Sequence, residues 1–462
     1  MPSIFDAIVI GTGQAGPPLA ARLAHAGMKV AVVEKHRFGG TCVNDGCTPT
    51  KAMIASAYAA HMARRARDYG VMLDASPRVD MKQVKVRKDE IVRGSRDGVE
   101  QWMQGLNDAT VYRGHARFVG QNAVRVNDDE LSADMIFVDV GGRPRVPKMP
   151  GLDSVAYLTN VTMMDLDCVP EHLVVVGGSY VGLEFAQMMR RFGSRVTVVE
   201  MGPRLVARED EDVSLAIQDF LHAEGLELRL GAQCVSVRKE ADGLSVGLQC
   251  TEGAPRESAT HLLLAIGRVP NTDDLGLERA DIRTDKHGYI EVDEALRTSN
   301  PSVWALGDCN GKGAFTHTAY NDYKIVAANV LDGDDRKVTD RITAYALFID
   351  PPLGRGGMTE AQALQDGHKI LIGKRPMTRV GRAVEKGETQ GFMKVVVDAE
   401  SKAILGAAIL GVGGDEVVHT LLDAMYAGAP YTTIQRAMHI HPTVAELVPT
   451  VLGELKTPER AS

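Results

Sequence analysis

Two cysteines, Cys42 and Cys47, stand with four residues between them in the stretch Gly39-Gly40-Thr41-Cys42-Val43-Asn44-Asp45-Gly46-Cys47-Thr48-Pro49-Thr50-Lys51. The pair follows a glycine-rich turn and precedes a helical run, so a reversible disulfide is the first chemistry it offers. Spacing alone leaves structural thiols or half of a metal site open. The surrounding elements decide among these.

The glycine-rich turn is Gly11-Thr12-Gly13-Gln14-Ala15-Gly16. It follows the short apolar run Ala7-Ile8-Val9-Ile10, of the kind buried in a parallel sheet, and leads into an Ala/Leu-rich helical segment to His25. Gly27 then stops the helix, and Val30-Ala31-Val32-Val33 gives a second strand ending at Glu34. Glycines that admit a pyrophosphate, a helix N-terminus facing its charge, and an acidic group for a ribose make a dinucleotide fingerprint. The pattern recurs at one constant spacing: Gly11, Gly16, Gly27 and Glu34 return as Gly177, Gly182, Gly193 and Glu200. Gly13 returns as Ser179, whose side chain crowds the approach but whose hydroxyl can donate to a phosphate. Two nucleotide-binding domains follow from this repeat.

At 462 residues the chain predicts about three domains. Its 44% hydrophobic and 24% charged residues are ordinary for a globular protein. A formal charge of -8 and a pI near 5.9 provide no footprint for nucleic acid or an anionic membrane. No apolar run approaches the roughly 18 residues a membrane span needs, and Met1 to Phe5 lack the basic start of a signal peptide, so a cytoplasmic enzyme is expected. Six cysteines in so long a chain are no disulfide scaffold, and in a reducing compartment a working disulfide is catalytic rather than structural. Cys168, Cys234, Cys250 and Cys309 are expected to be small buried hydrophobes.

Between the repeats, residues 51–68 and 78–105 predict long helices whose methionines fill core gaps. Strands are expected at Thr110-Val111-Tyr112, Val124-Arg125-Val126 and Met135 to Val140. Pro144, Pro147, Pro150 and Gly151 mark a linker. The second nucleotide domain closes with Leu262 to Asn271, and Val303 to Asp308 reads as a strand ending in an acid. From about Arg341, alternating strands such as Met393 to Val397 plus two helices predict a third domain.

Taken in order, Gly11 to Gly16, Gly40-Thr41-Cys42 through Cys47 and Lys51, Gly177 to Glu184, Ile266-Gly267-Arg268, Gly307-Asp308, and His441-Pro442-Thr443 with Glu446 resemble the class I pyridine nucleotide-disulfide oxidoreductases. This is the flavoprotein family of dihydrolipoamide dehydrogenase, glutathione reductase and mercuric reductase, and the resemblance covers nearly the whole chain. It implies an α/β fold of two Rossmann-like domains plus a C-terminal α+β dimerisation domain. The boundaries it implies are 1–146 with 273–340 for a split FAD-binding domain, 147–272 for an NAD(P)-binding domain, and 341–462 for the interface domain. FAD contacts are implied at Gly11, Gly13, Gln14, Ala15, Gly16, Glu34, Lys35, Gly40, Thr41, Cys42, Lys51, Ala116, Gly141 and Asp308, and along Ala314, Phe315, Thr316 and His317. Nicotinamide cofactor contacts are implied at Gly177, Gly178, Ser179, Tyr180, Val181, Gly182, Glu200, Val235 and Gly267. No resident metal is expected.

The resemblance also assigns roles. Cys47 is the flavin-facing thiolate and Cys42 the interchange thiol. His441, oriented by Glu446, is the acid/base that thiol exchange requires, reaching Cys42 across a homodimer. Lys51 and Glu184 form an ion pair beside the flavin, and the ring of Tyr180 covers the flavin until nicotinamide displaces it. Glu200 favours NAD(H) over NADP(H), with Arg204 close enough to blur the preference. Four positions depart from the family. Asp139-Val140 replaces Ala-Thr, and Asp45 and Thr48 replace aliphatic residues beside the cysteines; the acidic neighbour is expected to disfavour the thiolate and shift the redox potential. The expected substrate is a small disulfide or dithiol, lipoamide among the candidates. The alternative is a metal ion, because Thr48 to Ile54, Ser179 and Pro351-Pro352-Leu353-Gly354-Arg355 have the character of the mercuric reductase branch. Against it stand a tail, Thr457 to Ser462, without cysteine and no preceding metal-binding cysteine domain. A component whose main role is docking into a multienzyme complex is a further class, for which no lipoyl domain or long linker speaks.

Overall fold

The computed structural model describes residues 2–250 and 253–458. Met1 and the last four residues of the Thr457 to Ser462 tail therefore lie outside the described residues. Strand Ser3–Ile10 is the centre of a seven-stranded sheet, parallel to Val30–Glu34 on one side and Asp129–Val138 on the other. Ala109–Arg113 and Val303–Ala305 extend the parallel part, while Ala116–Gly120 and Ala123–Val126 form an antiparallel arm. Ile8, Val9, Val30 and Val32 are fully buried because helices Gly16–His25, Met81–Gln104 and Thr316–Ala327 cover one face of the sheet and the antiparallel arm with Leu275, Ile282 and Ile290 covers the other, which is why this sequence reads as continuous apolar runs.

The second repeat builds a four-stranded parallel sheet, Glu227–Arg229, Arg195–Val199, His172–Val176 and His261–Leu264. The repeat extends to individual bonds. Gly11 N–H donates to Val33 O at 2.8 Å, and Gly177 N–H donates to Val199 O at 2.9 Å. Glu34 Oε2 accepts from Thr12 N–H at 3.0 Å and Glu200 Oε2 from Gly178 N–H at 2.6 Å, while the other oxygen of each accepts from His36 or Gly202 N–H at 2.7 Å. Gly11 (φ +105°) and Gly177 (φ +116°) stand so close to the neighbouring strand that a Cβ would meet Asp139 O or Ala265 O at 2.2 and 2.4 Å, so glycine is required at both. A three-stranded antiparallel sheet, Gln233–Glu240, Gly243–Gln249 and Arg256–Ala259, caps this repeat, with Leu244, Val246 and Leu248 buried at alternate positions of its middle strand.

Residues 344–410 form a five-stranded antiparallel sheet with Ile404–Leu410 and Phe392–Asp398 inside it. The expected pair of helices is corrected. Gly414–Tyr426 is the one helix of 13 residues here, and Glu360–Gln365, Gly381–Glu385, Tyr431–Gln435 and Val448–Gly453 are single short turns. The sequence of these turns is too short to show a helical period.

The cysteine stretch feeds helix Cys47–Arg65, which packs on helices Tyr180–Phe192 and Met81–Gln104. Met53, Met81, Leu183, Phe185 and Phe392 share one buried cluster drawn from all three parts of the chain. Each such side chain contributes about 1.5–3 kcal/mol by leaving water. This packing fixes the direction in which Cys47 and Lys51 point.

Candidate active site

Cys47 is the first residue of helix Cys47–Arg65, and its sulfur therefore meets the positive end of the helix. Both cysteines are free thiols joined by a hydrogen bond. That bond from Cys42 is the largest influence lowering the Cys47 pKa to about 6; burial opposes it, the Thr316 hydroxyl and the Lys51 charge assist, and Glu184 opposes. Cys42 is pushed the other way, first by the same bond to Cys47, then by burial and by the Cys47 charge. Negative charge thus gathers on Cys47 while Cys42 keeps its proton.

Thr316 Oγ1 lies 3.2 Å from Cys47 Sγ, at the start of helix Thr316–Ala327. Lys51 Nζ, one helical turn beyond Cys47, donates to Glu184 Oε2 at 2.6 Å and stands 4.5 Å from the centre of the Phe348 ring. Glu184 is buried, and its second oxygen accepts from Phe348 N–H at 3.1 Å. The pair therefore joins the redox helix, the second nucleotide helix and the C-terminal domain.

Tyr180 packs edge-on against Phe315 (centroids 6.0 Å apart) and Tyr345 (5.3 Å), while His317 and Tyr345 stack on Phe315 at 5.4 and 5.5 Å. Tyr345 Oη donates to Glu209 Oε1 at 2.8 Å, Tyr180 Oη reaches the same oxygen at 3.4 Å, and Arg355 binds the other oxygen through two guanidinium N–H groups. Burial raises both tyrosines, Tyr345 to about 12, and lowers His317. Sequence reading missed Glu209, Tyr345 and Phe348. The signal for Glu209 was the charged run Arg208 to Asp212, whose burial against Arg355 no local pattern reveals.

The remaining expected residues fall as follows. Asp308 Oδ2 faces Arg268 Nε at 3.3 Å, and burial raises its pKa against that cation. Gln14 Nε2 donates to Gly39 O at 3.2 Å, and Gly40 lies against Gly13, where its Cβ would meet Gly13 Cα at 2.9 Å. Thr41 borders Arg268, and Lys35 faces Asp274 at 3.6 Å. Ala116 is buried, so only its backbone can face a ligand; Gly141 and Gly267 have open space where a Cβ would stand. Ala314, Ser179, Val181 and Val235 are exposed, and the Ser179 hydroxyl caps nothing, which leaves it free for a phosphate.

Both phosphate turns fit a dinucleotide. Helices Gly16–His25 and Tyr180–Phe192 carry no side-chain cap and no acidic residue in their first turns. A Cβ at Gly16 or Gly182 would strike Gly11 O or Gly177 O near 2 Å, so the turns close tightly and present backbone. One side chain intrudes: Asp139 Oδ2 accepts from Gly16 N–H at 2.8 Å.

Two expectations are corrected. Asp45 is held by Arg37 through both oxygens at 2.9 and 2.6 Å, and the leading influences on Cys42 and Cys47 are each other, burial, Thr316, Lys51 and Glu184 rather than Asp45 or Thr48. Cys168 is exposed, and Cys234 and Cys250 are half-buried; of these four thiols Cys309 alone is buried. His441, expected to reach Cys42 across a homodimer, is held to Glu446 within its own chain. Its Nδ1 bonds Glu446 at 2.9 and 3.1 Å, its side chain is 80% exposed, and it sits beside exposed Met438 and Ile440.

Comparison with known proteins shows the family. The family described as "Pyridine nucleotide-disulphide oxidoreductase" matches residues 5–322, and its dimerisation domain matches residues 343–452. The dihydrolipoyl dehydrogenase of Thermus scotoductus is 34% identical over 96% of this chain and 95% of its own. The mercuric reductase of Streptomyces lividans is 33% identical, covering 96% and 94%. The solved structure of the HOCl-induced flavoprotein disulfide reductase RclA from Escherichia coli superposes with a TM-score of 0.89 at 31% identity, covering 97% of this chain and 99% of that one.

Proposed function

The chain belongs to the pyridine nucleotide-disulphide oxidoreductase family, as a flavin-dependent enzyme, and from that premise we propose that it uses NADH to reduce a small disulfide, or oxidises the matching dithiol, through Cys42 and Cys47. The observation that carries this reading is the unequal pair of thiols: Cys47 with its pKa near 6 and Cys42 held protonated beside it. FAD, when bound, supplies the ring that exchanges an electron pair with the nicotinamide and with the cysteine pair. The turn Gly11 to Gly16, Glu34 and Asp308 would hold it.

The thiol steps belong to the chain's own residues. Cys42 does not ionise unaided near neutral pH, so a base must take its proton before it attacks. His441 of the partner subunit is that base, and the Glu446 carboxylate holds the imidazole through Nδ1, leaving Nε2 for the thiol. Cys42 sulfur then attacks one substrate sulfur. The S–S bond breaks, the leaving thiolate takes the proton back from the imidazolium, and a mixed disulfide remains. Cys47 thiolate next attacks Cys42 sulfur, which expels the second substrate sulfur as a thiolate that solvent protonates and leaves the Cys42–Cys47 disulfide. The two electrons lost by the cysteines are the two gained by the substrate. A dithiol substrate runs the same steps in reverse.

Lys51 supports the thiolate and Glu184 fixes Lys51. Tyr180 is the ring the nicotinamide must displace. Glu200, fixed by Gly178 and Gly202 N–H groups, presents a carboxylate at the end of its strand, which suits a ribose 2′-hydroxyl and repels a 2′-phosphate. Reduction with NADH followed by reoxidation with lipoamide, glutathione disulfide and Hg(II) ranks the substrates. A kcat/KM with NADPH above that with NADH overturns the cofactor choice. Reoxidation by Hg(II) alone would favour the metal-ion reading, which rests on the likeness to mercuric reductases.

A further inference from the structure

Asp139 follows strand Asp129–Val138, and its N–H donates to Ile10 O at 2.8 Å. Ala265 holds the same place in the second repeat, its N–H donating to Val176 O at 2.8 Å. The carbonyl of each lies beneath the first glycine of its phosphate turn. Only the side chains differ: the second turn has a methyl group where the first has a carboxyl.

That carboxyl fills the inside of the first turn. Oδ2 accepts from Gly16 N–H at 2.8 Å and lies 2.8 Å from the position a Gly13 Cβ would take, while Oδ1 lies 3.0 Å from that of Gly307. The residue is 6% exposed. Its charged and titratable neighbours are arranged against ionisation. Asp308 lies next in the fold with Arg268 as its partner. Asp322 accepts from Gly307 N–H and Asn310 Nδ2 and is paired with Arg341. Cys309 is buried beside them, and helix Gly16–His25 adds no acid in its first turn. Among the described residues no lysine or arginine pairs with Asp139. Burial holds the carboxyl well above the usual carboxylate range, the N–H groups of Gly16 and Ala15 work against this, and Asp308 and Asp322 reinforce it.

A carboxylate here would lie as like charge beneath the turn that the phosphates of a dinucleotide approach, whereas a carboxylic acid adds no charge there. We propose that Asp139 is a protonated, neutral carboxyl built beneath the pyrophosphate cradle of FAD, so that FAD binding is linked to a proton on this residue. This rests on the assignment of the first turn to FAD. The second turn, with Ala265, has no such link.

The test is the affinity of the FAD-stripped protein for FAD, read by flavin fluorescence from pH 5 to 10. In the wild type, affinity falls by up to about tenfold per pH unit once the flavin-free protein loses the Asp139 proton. D139N, neutral at every pH, lacks this fall and binds FAD more tightly than wild type at the alkaline end. The same alkaline fall in both proteins, or a flat wild-type profile, overturns the proposal. An indicator-dye measurement of proton uptake needs no variant: uptake when FAD is added to the wild type in the alkaline range supports the link, and FAD binding without uptake overturns it. Hydrogen-exchange protection of residues 11–16 by FAD checks the site itself. Protection without proton uptake sinks the role of Asp139 alone, and FAD binding without protection sinks the assignment of the turn.

Discussion

Thr316 Oγ1 stands 3.2 Å from Cys47 Sγ, so a hydroxyl at the start of one helix steadies the sulfur at the start of another. Hydrogen bonds to charged groups are worth about 1.5–3 kcal/mol, equivalent to about 1–2 pKa units. Thr316→Val therefore raises the Cys47 pKa above 6 by roughly that amount. The sign follows from the lost donor, which stabilised only the thiolate. Alkylation of the reduced enzyme against pH reads the midpoint directly, and an unmoved midpoint would show that Cys42 and Lys51 hold the charge without Thr316.

Asp45→Val leaves that midpoint where it is. Asp45 is bonded by Arg37 through both oxygens and is not among the leading influences on either thiol, in contrast to the expectation from its place between the cysteines. What it loses is a partly exposed ion pair, worth about 0.2–1 kcal/mol of stability. A redox titration in which the variant's thiol potential moves away from that of the wild type would restore the sequence-based expectation.

The contrast between Asp45 and Thr316 shows what this sequence could reveal. The βαβ repeats, the cysteine pair and the acids Glu34 and Glu200 were legible because each is a local pattern imposed by backbone geometry, and the fold repeats them bond for bond. Neither the direction of the Asp45 carboxylate nor the reach of Thr316 across the site could be read, since both depend on elements distant in the chain. Glu209, Tyr345 and Arg355 were hidden for the same reason: a charged run reads as a solvated face until a guanidinium from another domain buries it. The full expression of Asp139 also required the structure, although its departure from the family pattern was visible beforehand.

Arg355 and Glu209 are 1% and 0% exposed, and the pair binds the second nucleotide domain to the C-terminal sheet. Removing one partner of such a pair leaves a charge without compensation and costs about 3–5 kcal/mol. Arg355→Met lowers the thermal midpoint accordingly, and adding Glu209→Gln restores part of it because the stranded carboxylate is gone. Calorimetry of the two variants checks this. An Arg355→Met protein as stable as wild type would mean that Lys394, 3.2 Å from Asp210, rearranges to compensate the Glu209 charge.

His441 supplies the sharpest separation of half-reactions. It is exposed and bonded only to Glu446 within its own chain, so its loss disturbs neither nucleotide turn nor the Lys51–Glu184 pair. Positioned acid/base groups contribute about 10²–10⁴-fold to rate. His441→Ala accordingly lowers disulfide turnover by that factor, while reduction of the flavin by the nicotinamide, followed in a stopped-flow spectrometer, proceeds near the wild-type rate. Glu446→Gln falls between, since it keeps the imidazole but weakens its orientation and its charged form. Equal loss in both half-reactions would place His441 in the fold or the dimer contact and leave Cys42 without its base.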